Sequence, residues 1–263
     1  MPTQHPWRLS EVTLKNVRSF NYDVAVLPFG ATEPHNLHLP YGTDNIEVTE
    51  VCDRACAHAW KKGAKVALLP TVPFGCDQNM MTFPMTISVD QSQLDGIVES
   101  VAKSLEKHGV KKLVVVNGHG GNQFSPGIRT LYARTSVFVC LISWYQAAAA
   151  DGGKAIFENH DGDHADEMET SMMLALTPDL VNMADADNGA TRPSRFEGGR
   201  KGWIWYPRPW EKLTTNSGAG NPHKGTAEKG QKFLKLAEER MGEFFTQLAR
   251  EPLDATFPLQ ADK

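Results

Sequence analysis

Residues 23–44 read DVAVLPFGATEPHNLHLPYGTD. The opening DVAVLP is a short apolar run without strict alternation, the pattern of a strand covered on both faces. The remainder is punctuated by Gly30, Pro34, Pro40 and Gly42, which rules out a helix. Into that loop the chain places Glu33, His35, His38 and Asp44, all groups able to ligate a metal or carry a proton.

Runs of the same kind recur downstream. AKVALLP (64–70), KLVVVNG (112–118) and SVFVCLIS (136–143) also read as buried strands. Between the first two strands, residues 45–63 line Val48, Val51, Cys52, Ala55, Cys56 and Ala59 along one helical face and stop at Gly63. Residues 93–109 repeat the pattern with Leu94, Ile97, Val98, Val101, Ala102 and Leu105. A third helix is expected over 122–134, weakened by Pro126 and Gly127. The alternation predicts an α/β fold with helices on both faces of the sheet, as one domain over 1–263. Further on, 167–176 and 226–250 read as helices, the latter with a broad apolar face. Residues 185–223 read as a long ordered excursion, because Trp203, Trp205, Tyr206 and Trp210 would be costly to leave in water.

Composition narrows the class. Of 263 residues, 41% are hydrophobic and 22% charged, ordinary for a soluble globular protein. The net charge of −4 argues against nucleic acid or an anionic membrane as main partner. No run approaches the roughly 18 apolar residues of a membrane span. The start, MPTQHPWRLSEV, lacks the apolar core of a secretory signal. Cys52, Cys56, Cys76 and Cys140 form no C-x-x-C pair, so reduced cysteines in a cytoplasmic protein are expected.

In open α/β sheets, sites form beyond the carboxyl ends of the strands. Three stretches qualify. Beside the loop of 29–44 stand NGHGGN (117–122), which holds His119 between glycines, and HDGDHADEMETS (160–171), with two histidines among a run of carboxylates. Singly, each has an ordinary explanation: a solvated histidine, a simple turn, acids at a helix N-terminus. Together, Glu33, His35, Asp44, His119 and one acid of the third cluster offer the His/carboxylate set and bridging carboxylate of a two-metal site. NGHGGN lacks both the Lys-Ser/Thr of a phosphate loop and the spacing of a dinucleotide fold. No G-x-S-x-G supports a serine nucleophile.

At these residues the sequence resembles the creatininase (creatinine amidohydrolase) family. LPFGATEPHNLHLPYGTD, VVVNGHGGN and HADEMETSMMLAL are similar to its three ordered motifs, FPMTIS (83–88) to its FPGT-type segment, and GAGNPHKGTAEKG (218–230) to its C-terminal element. The resemblance spans roughly residues 20 to 245. It implies a three-layer α/β/α fold with a mostly parallel central sheet, two divalent ions per subunit, and hydrolysis of a C–N bond in a small cyclic or formylated amide. It also implies a homo-oligomer, commonly a hexamer. Carried over by position, Glu33 and His119 would bind one metal and His35 the other, with Asp44 bridging. Creatininase carries a glutamate where this chain has Gly121, and an apolar residue where it has Glu167, so Glu167 is expected as the exchanged ligand of the second metal. His164 aligns with a histidine near the scissile bond, a general acid or proton shuttle. Glu169 is expected to orient a ligand or His164.

Other positions depart from creatininase. Its aromatic substrate clamp meets His160 and Tyr145 here, Met85 replaces a usual glycine, and QNMMTF (78–83) lacks a histidine often found there. Related members deformylate formamidopyrimidines or trim modified peptides, so the amide is not fixed by the family. Zn, Mn or Fe would each suit the ligands. Paired cations would bring a bridging water to hydroxide near neutral pH and polarise the carbonyl, with NGHGGN N–H groups as candidate oxyanion donors. Two other classes remain: a catalytically silent metal-binding oligomeric scaffold, and a binuclear phosphoesterase, whose D-x-H motif is not found. His38 is expected beside the ligands rather than among them, His58 and His108 on the surface, His223 in a surface loop, and Trp203, Trp205 and Trp210 at a subunit interface.

Overall fold

A computed structural model describes residues 5–260. Its centre is a sheet of β1 (Val24–Phe29), β2 (Val66–Leu68), β3 (Lys112–Asn117) and β4 (Phe138–Ser143). The strand order is β2-β1-β3-β4 and every pairing is parallel. β1, β2 and β3 are buried throughout, which is why their sequences run apolar instead of alternating. The longer strand expected over 64–70 shrinks to three residues, because the ladder of β2 to β1 covers only Val24–Val26, with Arg8 making an isolated bridge to Leu68.

Among the described residues, six α-helices of six or more residues surround the sheet: α1 (Thr43–Lys61), α2 (Gln91–Lys107), α3 (Phe124–Leu131), α4 (Trp144–Ala149), α5 (Glu167–Leu176) and α6 (Ala227–Arg250). One core joins α1, α4, α5 and α6 to one sheet face through Val24, Val26, Val114, Val116, Val51, Trp144, Met172 and Phe245. The other joins α2 and α3 to the opposite face through Ala25, Leu27, Phe29, Leu94, Val98, Leu113 and Phe124. This is a three-layer α/β/α arrangement. Each fully buried Val, Leu or Phe contributes about 1.5–3 kcal/mol against chain entropy. Lys112 at the start of β3 donates to the carbonyls of Leu248 and Glu251, fastening the end of α6 to the sheet.

Pro126 does not disturb α3, because it lies in the first turn, where its missing N–H has no intrahelical partner to lose. α1 begins at Thr43, two residues before the expected 45, so Asp44 lies in the first helical turn, where the macrodipole favours a carboxylate. The cysteines form no disulfide among the described residues. No described helix is long and apolar enough to cross a membrane. Residues 185–223 are ordered but mostly irregular, tied in by Asn36 and Asn216 on Asp187 and by Tyr206 on Ser194. The expectation that its tryptophans are buried holds only for Trp210, 5% exposed; Trp203 and Trp205 remain 70% and 83% exposed.

Candidate metal centre

Parallel strands end on the same side of the sheet, so their outgoing loops meet there. The loop after β1 brings Glu33 and His35, and continues into α1, which brings Asp44. The turn after β3 brings His119, and the segment after β2 brings Asp77. α5 and the turn before it add Glu169 and His164. All seven are buried.

The β1 loop is held from several sides. Glu33 N–H donates to Tyr41 O, while Ser217 Oγ and His164 Nε2 both donate to Pro34 O. Asn36 sits at φ 56°, a left-handed conformation that asparagine tolerates, and is bonded to Ser217 and Asp187. NGHGGN is pinned by its asparagines: Asn117 donates to His119 O and accepts from His119 N–H and Asn122.

The geometry centres on Asp44. Its Oδ1 is 2.9 Å from His35 Nε2 and its Oδ2 is 2.9 Å from His119 Nδ1. His119 Nδ1 is also 3.0 Å from Glu33 Oε1. On the other side, His35 Nε2 is 3.8 Å from Glu169 Oε2. His35 Nδ1–H is taken up by Glu33 O at 3.1 Å, so its Nε2 lone pair faces the two carboxylates. Beyond the contact with His119, neither oxygen of fully buried Glu33 receives a hydrogen bond among the described residues. A buried carboxylate without donors is costly unless a cation balances it. The group Glu33–Asp77–His119 and the group His35–Asp44–Glu169 each draw their ligand atoms within 4.8 Å. The donor set therefore fits divalent cations of the Zn, Mn or Fe type.

The electrostatics agree. Burial raises Glu33 to about 7 despite the attraction of His119, and raises Glu169 to about 8 despite His35. Burial opposes protonation of His35, yet Asp44 and Glu169 outweigh it and push that ring up to about 10. Asp44 is pulled upward by burial but held below the carboxylate range by His35 and His119. His164 is driven well below its ordinary value, first by burial and then by His35, whose ring centroid is 4.2 Å away. Raised carboxyls beside raised imidazoles hold protons that a bound cation would displace.

Of the residues expected at the site, Glu33, His35, Asp44, His119, His164 and Glu169 are brought together. Glu167 is not. It is buried on the far side of α5, where it accepts from Glu158 N–H, Asn159 N–H, Asn159 Nδ2 and Lys229 Nζ. Side chains two apart on a helix point about 200° apart, so Glu167 and Glu169 cannot both face the cluster. Nor is there room for a side chain at Gly121: a Cβ there would lie 2.3 Å from His119 Nε2 and 2.5 Å from Cys76 O. His38 lies beside the ligands, its Nε2 2.9 Å from Thr170 Oγ1. Trp210, expected at an interface, stands edge-on to His164 at 5.0 Å instead. His160, at one clamp position, is exposed and Tyr145, at the other, is half-buried.

Two further buried acids carry almost no signal in the sequence. Asp77 lies in GCDQN, where the one hint is a carboxylate in the loop after a strand. Glu47 sits one turn after Asp44 on α1, on the same helical face, and burial raises it well above the carboxylate range.

Known proteins share this architecture. The family model Creatininase: Creatinine amidohydrolase matches residues 10–245. The chain is 32% identical to the creatinine amidohydrolase of Pseudomonas putida over 178 residues, 61% of this chain and 66% of that protein. A crystal structure from Bacteroides fragilis, assigned as a creatinine amidohydrolase, superposes with a TM-score of 0.89 at 36% identity, covering 95% of this chain and 99% of that one. A creatininase variant in a Zn–Zn form superposes with a TM-score of 0.75 at 25% identity, covering 93% and 98%.

Proposed function

The chain belongs to the creatininase family and is an amidohydrolase; from that premise we propose that it opens a C–N bond of a small cyclic or formylated amide at a two-metal centre. One ion would be held by Glu33, Asp44 and His119, the other by His35, Asp44 and Glu169, with Asp44 common to both. Glu169 takes the place expected for Glu167, since it is the carboxylate of α5 that faces His35. The observation that carries this reading is the division of the two Asp44 oxygens between two imidazoles, one at 2.9 Å from each.

Two divalent ions held there would supply a Lewis acid for the amide carbonyl and bring water close to ionisation near neutral pH. The protein supplies the rest. His35 and His119 each present one nitrogen inward. His164 donates Nε2–H to Pro34 O, which leaves the Nδ1 lone pair facing the cluster, 3.7 Å from Glu33 Oε1. It stays neutral at pH 7, because burial and the His35 ring disfavour its charged form. A neutral imidazole so placed takes a proton from the attacking water and returns it to the leaving nitrogen. Trp210 braces the ring edge-on, and Arg208 stacks on Trp210 at 4.7 Å. We extend the proposal to a homo-oligomer, with exposed Trp203 and Trp205 as candidate contacts; light scattering checks it.

The test is turnover of a panel of cyclic amides, N-formyl compounds, modified peptides and phosphate esters by metal-loaded protein, beside Asp44→Asn. Amide turnover lost in Asp44→Asn supports the proposal. Turnover confined to phosphate esters, or none with metals bound, would contradict it.

A further inference from the structure

We propose that Asp77 is the positioning residue of His119, accepting its Nε2–H and so fixing Nδ1 as the inward-facing nitrogen; this rests on the two-metal reading above. The two ring nitrogens face different surroundings. Nδ1 is 2.9 Å from Asp44 Oδ2 and 3.0 Å from Glu33 Oε1. Nε2, on the other side of the ring, is 2.7 Å from Asp77 Oδ1. Asp77 is 1% exposed, and neither of its carboxylate oxygens receives a hydrogen bond from any other described residue. His119 Nε2 likewise has no other partner among the described residues. At 2.7 Å the two atoms are in ion-pair contact, off the line of the ring N–H. Each atom is thus the remaining partner of the other in a buried place, where an unmet polar group is costly.

The ring has no freedom to choose otherwise. It lies in a slot between Gly75 and Gly121, where a Cβ would stand 2.8 Å from His119 Cδ2 and 2.3 Å from Nε2. The loops carrying the two residues are cross-braced: Cys76 N–H donates to Asn122 Oδ1 and Asp77 N–H to Ser88 Oγ. With the ring held, only the site of its proton remains to be set, and a carboxylate at Nε2 sets it. The second imidazole of the centre is oriented differently, by the Glu33 carbonyl. A carboxylate makes the opposite nitrogen a more basic ligand than a carbonyl does, and loss of such a partner typically costs 10–100-fold in metal affinity. Asp77 therefore strengthens one of the two ion sites and not the other.

The experiment is chelator competition on Asp77→Asn, wild type and Asp44→Asn, each loaded with Zn, with ¹⁵N NMR of the zinc-loaded wild type and Asp77→Asn to read the His119 tautomer. Expected for Asp77→Asn is a folded protein with an unchanged melting temperature, in which one ion is bound about 10–100-fold more weakly, the other retains its affinity, and Nε2 protonation of His119 is lost or mixed. Wild-type affinity for both ions, equal weakening of both together with a lowered melting temperature, or His119 protonated at Nδ1 in the wild type would overturn it. If Asp44→Asn also keeps both ions, the two-metal reading fails; if only Asp77→Asn does, the Asp77 role fails alone.

Discussion

Glu167 and Glu169 lie two residues apart on one helix and have opposite duties, so exchanging each for glutamine separates the duties. Glu169 faces His35 Nε2 at 3.8 Å and Asp44 across the same gap, in a place where burial pushes its carboxyl up to about 8. Such a carboxylate is there to balance positive charge. Removing one member of a buried charge pair costs about 3–5 kcal/mol. At 1.4 kcal/mol per decade that is on the order of 10² to 10⁴-fold in affinity, and it should fall on the ion shared by His35 and Asp44. Glu167 faces Lys229 and the N–H groups of residues 158 and 159, and burial does not prevent those donors from holding its carboxyl below the ordinary range. Glu167→Gln should lower fold stability by about 1–3 kcal/mol, because Lys229 loses its buried carboxylate and keeps only exposed Glu158 and the Lys224 carbonyl, and leave metal affinity unchanged. The assay is elemental analysis after dialysis against graded chelator, beside urea unfolding of the metal-free proteins. Glu169→Gln retaining two ions at wild-type affinity, or Glu167→Gln losing one while unfolding normally, would refute the reasoning.

Replacing His164 by asparagine should lower kcat about 10²–10⁴-fold while both ions stay bound; loss of an ion would make His164 a ligand instead. Gly121→Ala should destabilise by about 1–3 kcal/mol or more and weaken metal binding, since His119 or the Cys76 carbonyl must move, and a well-folded, fully loaded Gly121→Ala would count against the packed slot. Away from the site, Asp53 accepts from Arg8 and Trp7, and these bonds hold its folded pKa below the unfolded value near 3.9 although burial acts the other way. A depressed carboxyl contributes stability above its unfolded pKa and loses it as pH falls through the folded one. Asp53→Asn should therefore cost about 1–2 kcal/mol at pH 7 and flatten the decline of stability below about pH 4, as read by denaturant unfolding against pH.

The sheet was legible because three of its strands are buried throughout and β4, expected buried, is still partly so, and all four announce themselves as apolar runs between amphipathic helices. Glu33, His35 and Asp44 were legible for a related reason: such chemistry in a glycine- and proline-broken loop after a strand has few purely structural uses. The exchange of Gly121 for Glu167 holds along the sequence but ignores the helical rotation that turns Glu167 to Lys229 and Glu169 to His35. Asp77 was hidden because its meaning depends on where the His119 ring points, a fact of three-dimensional packing between the loops after β2 and β3. Glu47 was hidden because a single acid within a helix carries no mark of its burial, though it shares a face with Asp44. The tryptophans misled in both directions, since Trp210 packs on His164 while Trp203 and Trp205 stay exposed.

The central claim is that one carboxylate, Asp44, joins two ions held by five side chains. Anomalous diffraction at the manganese or zinc edge, from crystals of the metal-loaded protein, tests it most directly. The account predicts two peaks flanking Asp44, one against Glu33 and His119 and the other against His35 and Glu169, with Glu167 still on Lys229. A single peak, or a second one bound by Glu167, would contradict it.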